Sequence, residues 1–438
     1  MSIFDFADQF QIDSPWTNWI KPTNKVLGIL SKKTTNDCEQ DKITVLNILK
    51  SIKGAKNYTN KLSKYKNLFN EKKINILYEG DSWLDYGPAI PTDLFNIDLK
   101  NRIIDYYNKN YKKHVTHLDI AKFGDVTGYM TMSDYKNDAE LNNLNAFYNE
   151  KIKRKELEKV YKPFLKTIID QYSIDIIVFS GGGNDILASY LKDILKNGVL
   201  DRITFSDIRN FPDSGRFYDY YEMIIKPNEK KVDYDDIGKF CIANQDKFDL
   251  DQIFERCADI NTLNIKLQNV KNNYLKVVDF VKNSKNPHTS IIGHTYDYAV
   301  LRENASLGIG ANRPHKTKPE QNKFLGSSIG PWIKPYFDAK KIHSRTIRAL
   351  VLIYMINRFK SVLQEVKDYA ISKNVNFDFV DFHRTCFESN YMTDEIHPST
   401  IGSKYLFNQF NKKMLPTFLD VVSKKKIDVF KKGIKKYI

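Results

Sequence analysis

The 438-residue chain reads as an α/β protein, a parallel sheet covered on both faces by helices to give three layers. Three features support this. Short segments rich in Val, Ile and Phe alternate with longer helical ones. Several of the short segments are continuous apolar runs rather than alternating ones, as expected of parallel strands buried on both faces. Four of them are followed at once by turns carrying Gly, Asp, Ser, Asn or His, at the carboxyl edge where open α/β sheets place ligands.

The expected strands are 74–79, 114–121, 175–180, 289–294 and 376–382, each short and bounded by turn residues. Helices are expected over 155–171, 185–195, 262–282, 345–372 and 399–413. Together they define a domain from about residue 71 to 415. Before it, residues 1–70 carry an aromatic cluster (Phe4, Phe6, Phe10, Trp16, Trp19) and a helix signal near 42–53, and read as an extension that packs on the core. Two inserted segments break the alternation. Residues 200–260 are aromatic and acidic-leaning, with Phe217, Tyr218, Tyr220 and Tyr221 followed by Asp233, Asp235 and Asp236. Residues 303–340 are rich in Gly and Pro, and a loop of that length is expected to serve as a lid or substrate-binding wall.

Composition narrows the function. A hydrophobic content of 42% with 28% charged residues is that of a soluble globular chain. No run approaches the ~20 apolar residues that cross a bilayer, and Met1–Asp8 lacks the pattern of a signal peptide. The expectation is a cytoplasmic protein, or one exported without a cleaved signal. Cys38, Cys241, Cys257 and Cys386 show neither CxxC pairing nor zinc spacing, which suits a reducing compartment. The net charge of +15 invites a nucleic-acid reading, but residues 400–438 hold ten lysines against Asp420 and Asp428, leaving +7 for the rest. With no nucleic-acid-binding signature in the chain, no nucleic-acid partner is expected. In the tail, residues 416–438, the spacing of Ile427, Phe430, Ile434 and Tyr437 among lysines fits a basic amphipathic helix. Such a helix either lies on an anionic membrane surface or docks its apolar stripe on the domain, the latter being favoured.

Four blocks carry chemistry: Gly80-Asp81-Ser82-Trp83, Ala121 to Thr127 around Gly124, Ser180 to Asp185 with Gly181–Gly183 and Asn184, and Asp394-Glu395-Ile396-His397-Pro398. Acyl transfer needs a nucleophile, a base, a group that orients the base and donors for an oxyanion, and these blocks hold one of each. A divalent metal on Asp81, Asp185, Asp394 and His397 fits less well beside Ser and Asn, so no metal or other cofactor is expected. Ser82 lacks the glycine two residues later that marks a Gly-x-Ser-x-Gly elbow.

Taken in order, the blocks resemble those of the SGNH (GDSL-type) hydrolase superfamily, over about residues 71–415. The resemblance implies a flavodoxin-like sheet and an ester hydrolase. It implies Ser82 as nucleophile, His397 as general base and Asp394 as the residue orienting it. The oxyanion hole would comprise the Ser82 and Gly124 backbone amides and the Asn184 side chain. Two departures stand out: Trp83 replaces a common leucine, and the second block lacks the Asn that usually precedes its glycine. Trp83, His294 and Trp332 are the candidate substrate contacts, although His294 at a strand end equally suits a buried structural place, and plain packing is favoured for Trp332. The expected substrate is a lipid, short-chain acyl or carbohydrate ester. The alternative is a non-catalytic binding or membrane-anchoring protein working through its basic tail.

Overall fold

The computed structural model describes residues 72–84, 99–111, 114–121, 126–131, 165–187, 190–229, 231, 234–299, 306–307, 315–316, 333–384, 391–392 and 395–427. All fall within one compact unit formed by Phe69–Ser133 and Phe164–Ile438. Its centre is a five-stranded, wholly parallel sheet of β1 (Ile74–Gly80), β2 (Val115–Asp119), β3 (Ile176–Ser180), β4 (Ser290–His294) and β7 (Asn376–Val380). A two-stranded antiparallel pair, β5 (Ser306–Leu307) with β6 (His315–Lys316), stands apart from it.

Every residue of β1, β3 and β4 is buried, which is why their sequences are mostly apolar and do not alternate with polar ones at period two. The edge strands carry ion-paired carboxylates. Asp119 at the end of β2 pairs with Lys100, and Asp378 in β7 with Lys367 and Lys413. At the amino edge of β1, Asn75 donates its backbone N–H to Asp175 and its side-chain amide to the Ser173 carbonyl.

The strand order is β2-β1-β3-β4-β7, the flavodoxin-like order of a doubly wound sheet. Its direction reverses at β1, so a crevice opens beyond the carboxyl ends of β1 and β3, which is where two of the four blocks begin.

Four long helices form the outer layers. On one face α1 (Leu99–Tyr111) packs against α4 (Thr400–Lys424), and α4 lies on β1, β4 and β7. On the other, α2 (Ile260–Lys282) packs against α3 (Arg345–Ser372), which lies on β7. Strand parity separates the faces. His294 meets Phe410 of α4, whereas Phe377, of opposite parity, meets Tyr274 of α2. Side-chain caps start three of these helices: Asp259 for α2, Ser344 for α3 and Ser399 for α4. The buried face of α2 (Leu263, Leu267, Val270, Tyr274, Val277, Val281) repeats every three or four residues.

The strands lie within two residues of their expected bounds, and α3 has its expected bounds. Differences lie among the other helices. The first turn of the Leu165–Gln171 helix is the earliest described part of the helix expected from residue 155, and the helix expected over 185–195 is split into Gly183–Ile186 and Leu191–Ile194. α4 continues to Lys424 past Pro416, because that proline sits on the exposed side while Phe410, Met414 and Phe418 keep the buried stripe in register. Helix α1, with its buried stripe of Leu99, Ile103 and Tyr107, has no counterpart among the sequence expectations. The insert 200–260 resolves into short helices, including Ser214–Tyr220, Tyr234–Ala243 and Leu250–Cys257, two of which pack on α3. Its aromatics make a small core of their own, with Phe217 against both Phe240 and Phe248. Near the end of the expected lid, Pro335 starts a helix over Lys334–Ala339. The extension 1–70, residues 317–332 of the loop and the tail from 428 lie outside the described residues. No described helix is long and apolar enough to cross a membrane.

Candidate active site

Strand β1 ends by pressing Gly80 against Ser180 of β3. A Cβ at Gly80 would meet the Ser180 carbonyl oxygen at 2.6 Å and Leu84 Cδ1 at 2.9 Å, so no side chain fits there. The chain then turns within hydrogen-bonding reach of the sheet. Asp81 N–H donates to the Ser180 carbonyl (3.0 Å) and Leu84 N–H to the Asp81 carbonyl (3.1 Å). The Asp81 carboxylate closes the turn by accepting from Trp83 N–H at 3.1 Å, as Asp commonly does two residues upstream of a backbone amide. It also accepts from Ser180 Oγ (3.0 Å) and from the Tyr296 hydroxyl. Burial raises the Asp81 pKa to about 6 against the pull of these donors and of nearby His397.

The turn leaves Ser82, 5% exposed, facing His397. His397 Nε2 and Ser82 Oγ are 2.9 Å apart, joining residues 315 positions distant in sequence. With the proton on Nδ1, the Ser82 hydroxyl donates to Nε2, the geometry a general base requires. The histidine loop is held from several sides. Glu395, almost fully buried, accepts from the backbone N–H groups of Ile333 (2.5 Å) and Lys334 (3.1 Å). Ser399 N–H donates to the Tyr391 carbonyl at 2.7 Å, and Met392 bridges Pro398. From the nucleophile side, Trp83 Nε1–H donates to the Ile396 carbonyl at 2.9 Å.

The third block follows β3. Gly182 has φ of 115°, a left-handed conformation, and a Cβ there would lie 2.5 Å from Phe359. That turn starts the helical segment Gly183–Ile186 and brings Asn184 to the wall of the cleft. The next residue, Asp185, binds the second block: it accepts from Thr127 N–H (3.0 Å) and Thr127 Oγ1 (2.9 Å). Burial raises its pKa to about 6, and the neighbouring Asp81 charge adds to the rise.

The cleft, open to solvent, is lined among the described residues by Asp81, Ser82, Trp83, Asn184, Tyr296, Ile396 and four others. Ser82, His397 and Asn184 are thus gathered at the sheet edge, with Trp83 beside them. His294 is not on this lining. It is fully buried, stacked on the Trp83 indole with ring centroids 5.6 Å apart, and its Nδ1 bonds the Thr295 carbonyl. Burial lowers its pKa to about 4, so the ring is neutral. The strand alternation that aims His294 at Phe410 takes it behind the cleft wall. Gly124, Trp332 and Asp394 lie outside the described residues. Among those residues no cluster of His, Cys, Asp and Glu is placed to hold a metal.

Two neighbours of the site lie in segments the sequence reading singled out, 294–298 and 394–398, without a role of their own being expected of them. Tyr296, two residues past β4, lines the cleft and donates to Asp81; its place at a strand's carboxyl end was the available signal. Glu395 was visible only as part of the Asp-x-x-His block.

No family model matches the chain, and no curated protein matches it in sequence. Solved structures similar to it include a putative GDSL-like lipase from Parabacteroides merdae, 12% identical with a TM-score of 0.32, covering 78% of this chain and 97% of that one. An extracellular lipase from Streptomyces rimosus is 11% identical with a TM-score of 0.31, covering 80% and 99% respectively. Phospholipase A1 from Streptomyces albidoflavus is 11% identical with a TM-score of 0.32, covering 81% and 99%.

Proposed function

We propose that the protein is a serine ester hydrolase of the SGNH type, acting through an acyl-enzyme. The observation that carries the reading is the buried 2.9 Å contact between Ser82 Oγ and His397 Nε2 at the floor of an open cleft. A serine hydroxyl within hydrogen-bond reach of an imidazole nitrogen, at a sheet's carboxyl edge and beside a side-chain amide donor, is the equipment of acyl transfer. A binding module has no use for that geometry.

In this reading His397 Nε2 takes the Ser82 proton as Oγ bonds the ester carbonyl carbon. The carbonyl oxygen becomes an oxyanion, which the Asn184 side-chain amide and the Ser82 and Gly124 backbone amides stabilise. Protonated His397 then gives its proton to the departing alkoxide, and the C–O bond breaks to leave an acyl-Ser82 ester. Water, deprotonated by His397, attacks that ester, and the carboxylic acid leaves with Ser82 restored. Asp394 holds the imidazole tautomer. The substrate is a lipid, short-chain acyl or carbohydrate ester, chosen by the segments around the cleft rather than by the catalytic groups.

A fluorophosphonate probe tests the assignment. It labels the wild-type protein and fails to label Ser82→Ala; labelling that survives the substitution overturns the reading. With p-nitrophenyl acetate as substrate, Asn184→Ala lowers kcat by roughly 10²–10³ if its amide is an oxyanion donor.

A further inference from the structure

Trp83 follows the nucleophile and Ile396 precedes the base. The indole N–H of the first donates to the backbone carbonyl of the second at 2.9 Å, while Ser82 Oγ and His397 Nε2 stand 2.9 Å apart. The two contacts are successive rungs between the same two chain segments. Ser82, Trp83, Ile396 and His397 form a closed ring of two covalent links and two hydrogen bonds. Neither side of this ring moves freely. Trp83 N–H is fixed to Asp81 Oδ1, and Asp81 is fixed in turn to Ser180 and Tyr296. The indole plane is fixed as well, stacked on His294 and on Phe382 (25° between planes) and standing edge-on to Tyr296 at 87°. Only 3% of Trp83 is exposed, so its donor is committed inward rather than offered to a ligand.

We propose that Trp83 is a positioning residue: its indole N–H ties the histidine loop to the nucleophile turn and so sets the reach of His397 to Ser82. The inference rests on the hydrolase reading above. The physical reason is leverage. His397 belongs to no strand or helix of the fold, and the bond to Ile396 acts one residue from it. A general base must stand within hydrogen-bond reach of the proton it takes, and misplacement by about 1 Å costs as much as 10²-fold in rate. Stacking on His294 and Phe382 lets a flat, two-ring side chain hold that donor with little rotameric freedom. A side chain of similar bulk without the N–H would fill the same space and leave the Ile396 carbonyl without this bond.

Two replacements separate donor from bulk. Trp83→Phe keeps an aromatic ring in the stack and removes the N–H. Substituting β-(3-benzothienyl)alanine at position 83 keeps both rings and exchanges only the N–H for sulfur. With p-nitrophenyl acetate, both variants are expected to lose about tenfold in kcat with KM within twofold of wild type. Fluorophosphonate labelling should slow by the same factor, and the melting temperature of the benzothienyl variant should stay within about 2 °C of wild type. A purely structural role would lower the melting temperature and leave kcat per folded molecule intact. Wild-type kcat in the benzothienyl variant overturns the proposal, even if Trp83→Phe is impaired, because bulk rather than the donor would then be responsible. Ser82→Ala, run alongside, keeps the two readings apart: its continued labelling defeats the hydrolase assignment, whereas its silence beside an unimpaired benzothienyl variant defeats only the tie.

Discussion

The two halves of the proposed dyad are held in different ways. Ser82 stands on a turn that is an extension of the sheet: β1 delivers it, Gly80 packs on β3, and Asp81 binds the β3 end through backbone and side chain. His397 stands on a loop that crosses no strand, fixed by Glu395, by the Met392–Pro398 bridge and by the Trp83 indole. The nucleophile's place is thus a property of the core, and the base's place is a property of a few polar contacts. Damage to the first should therefore appear mainly as lost stability, and damage to the second mainly as lost turnover.

The largest expected effect is on turnover. His397→Ala removes the base and should lower kcat by about 10²–10⁴ with the melting temperature nearly unchanged, as general-base losses do. Unfolding of this variant would instead place His397 in the core with Ser82. Next comes Gly80→Ala. Its Cβ would overlap a backbone oxygen at 2.6 Å, and relief by moving β1 from β3 should cost about 1–3 kcal/mol, read as a lowered urea midpoint. If stability holds and only kcat falls, the contrast between the halves fails on its sheet side. Glu395→Ala leaves two backbone N–H groups without their carboxylate, at a cost of about 1–3 kcal/mol, and should lower kcat as well because the same residue anchors the His397 loop. Glu395→Gln keeps one acceptor oxygen and should recover part of both.

The smallest effect is the dependence on pH. The folded-state pKa of Asp185 is about 6, above its ordinary value of 3.8. The folded protein therefore holds this proton where the unfolded chain releases it, so the stabilisation is present at low pH and is lost as pH rises through about 6. Asp185→Asn cannot ionise, and its stability should fall less than that of wild type between pH 4.5 and 7. The comparison must be of slopes, since Asn has one acceptor oxygen for Thr127 where Asp has two. Parallel slopes would remove Asp185 from the account.

Much of this was legible in the sequence because the parallel sheet writes itself plainly. Strands buried on both faces are mostly apolar, and the turns after β1 and β3 hold small and polar residues. Hence β1, β3 and β4 were found within two residues of their bounds, with Ser82 and Asn184 just beyond β1 and β3 and His397 just ahead of α4. The contacts that tune the site were not legible, because they join residues hundreds of positions apart. Nothing near Trp83 announces Ile396, 313 residues on, and nothing near Glu395 announces Ile333. His294 shows the limit of reading from position alone: at a strand end it could face the cleft or the core, and the parity of β4 aims it at Phe410. The insert 200–260 hid its helices because its aromatics answer to one another, Phe217 to Phe240 and Phe248, rather than to a single helical stripe.

The separation of Ser82 and His397 by 315 positions has a consequence for how the protein comes to life. β1 carries its serine early in synthesis, yet the imidazole arrives only after four further strands of the central sheet have been made, just ahead of α4. A ribosome-bound chain therefore holds Ser82 without its proposed base through most of translation, and the proposed dyad can form only once the chain has been made through His397. On the proposed function, hydrolysis would appear only when both ends of this long-range pair have been made, so its onset would report late assembly rather than the first folded strand.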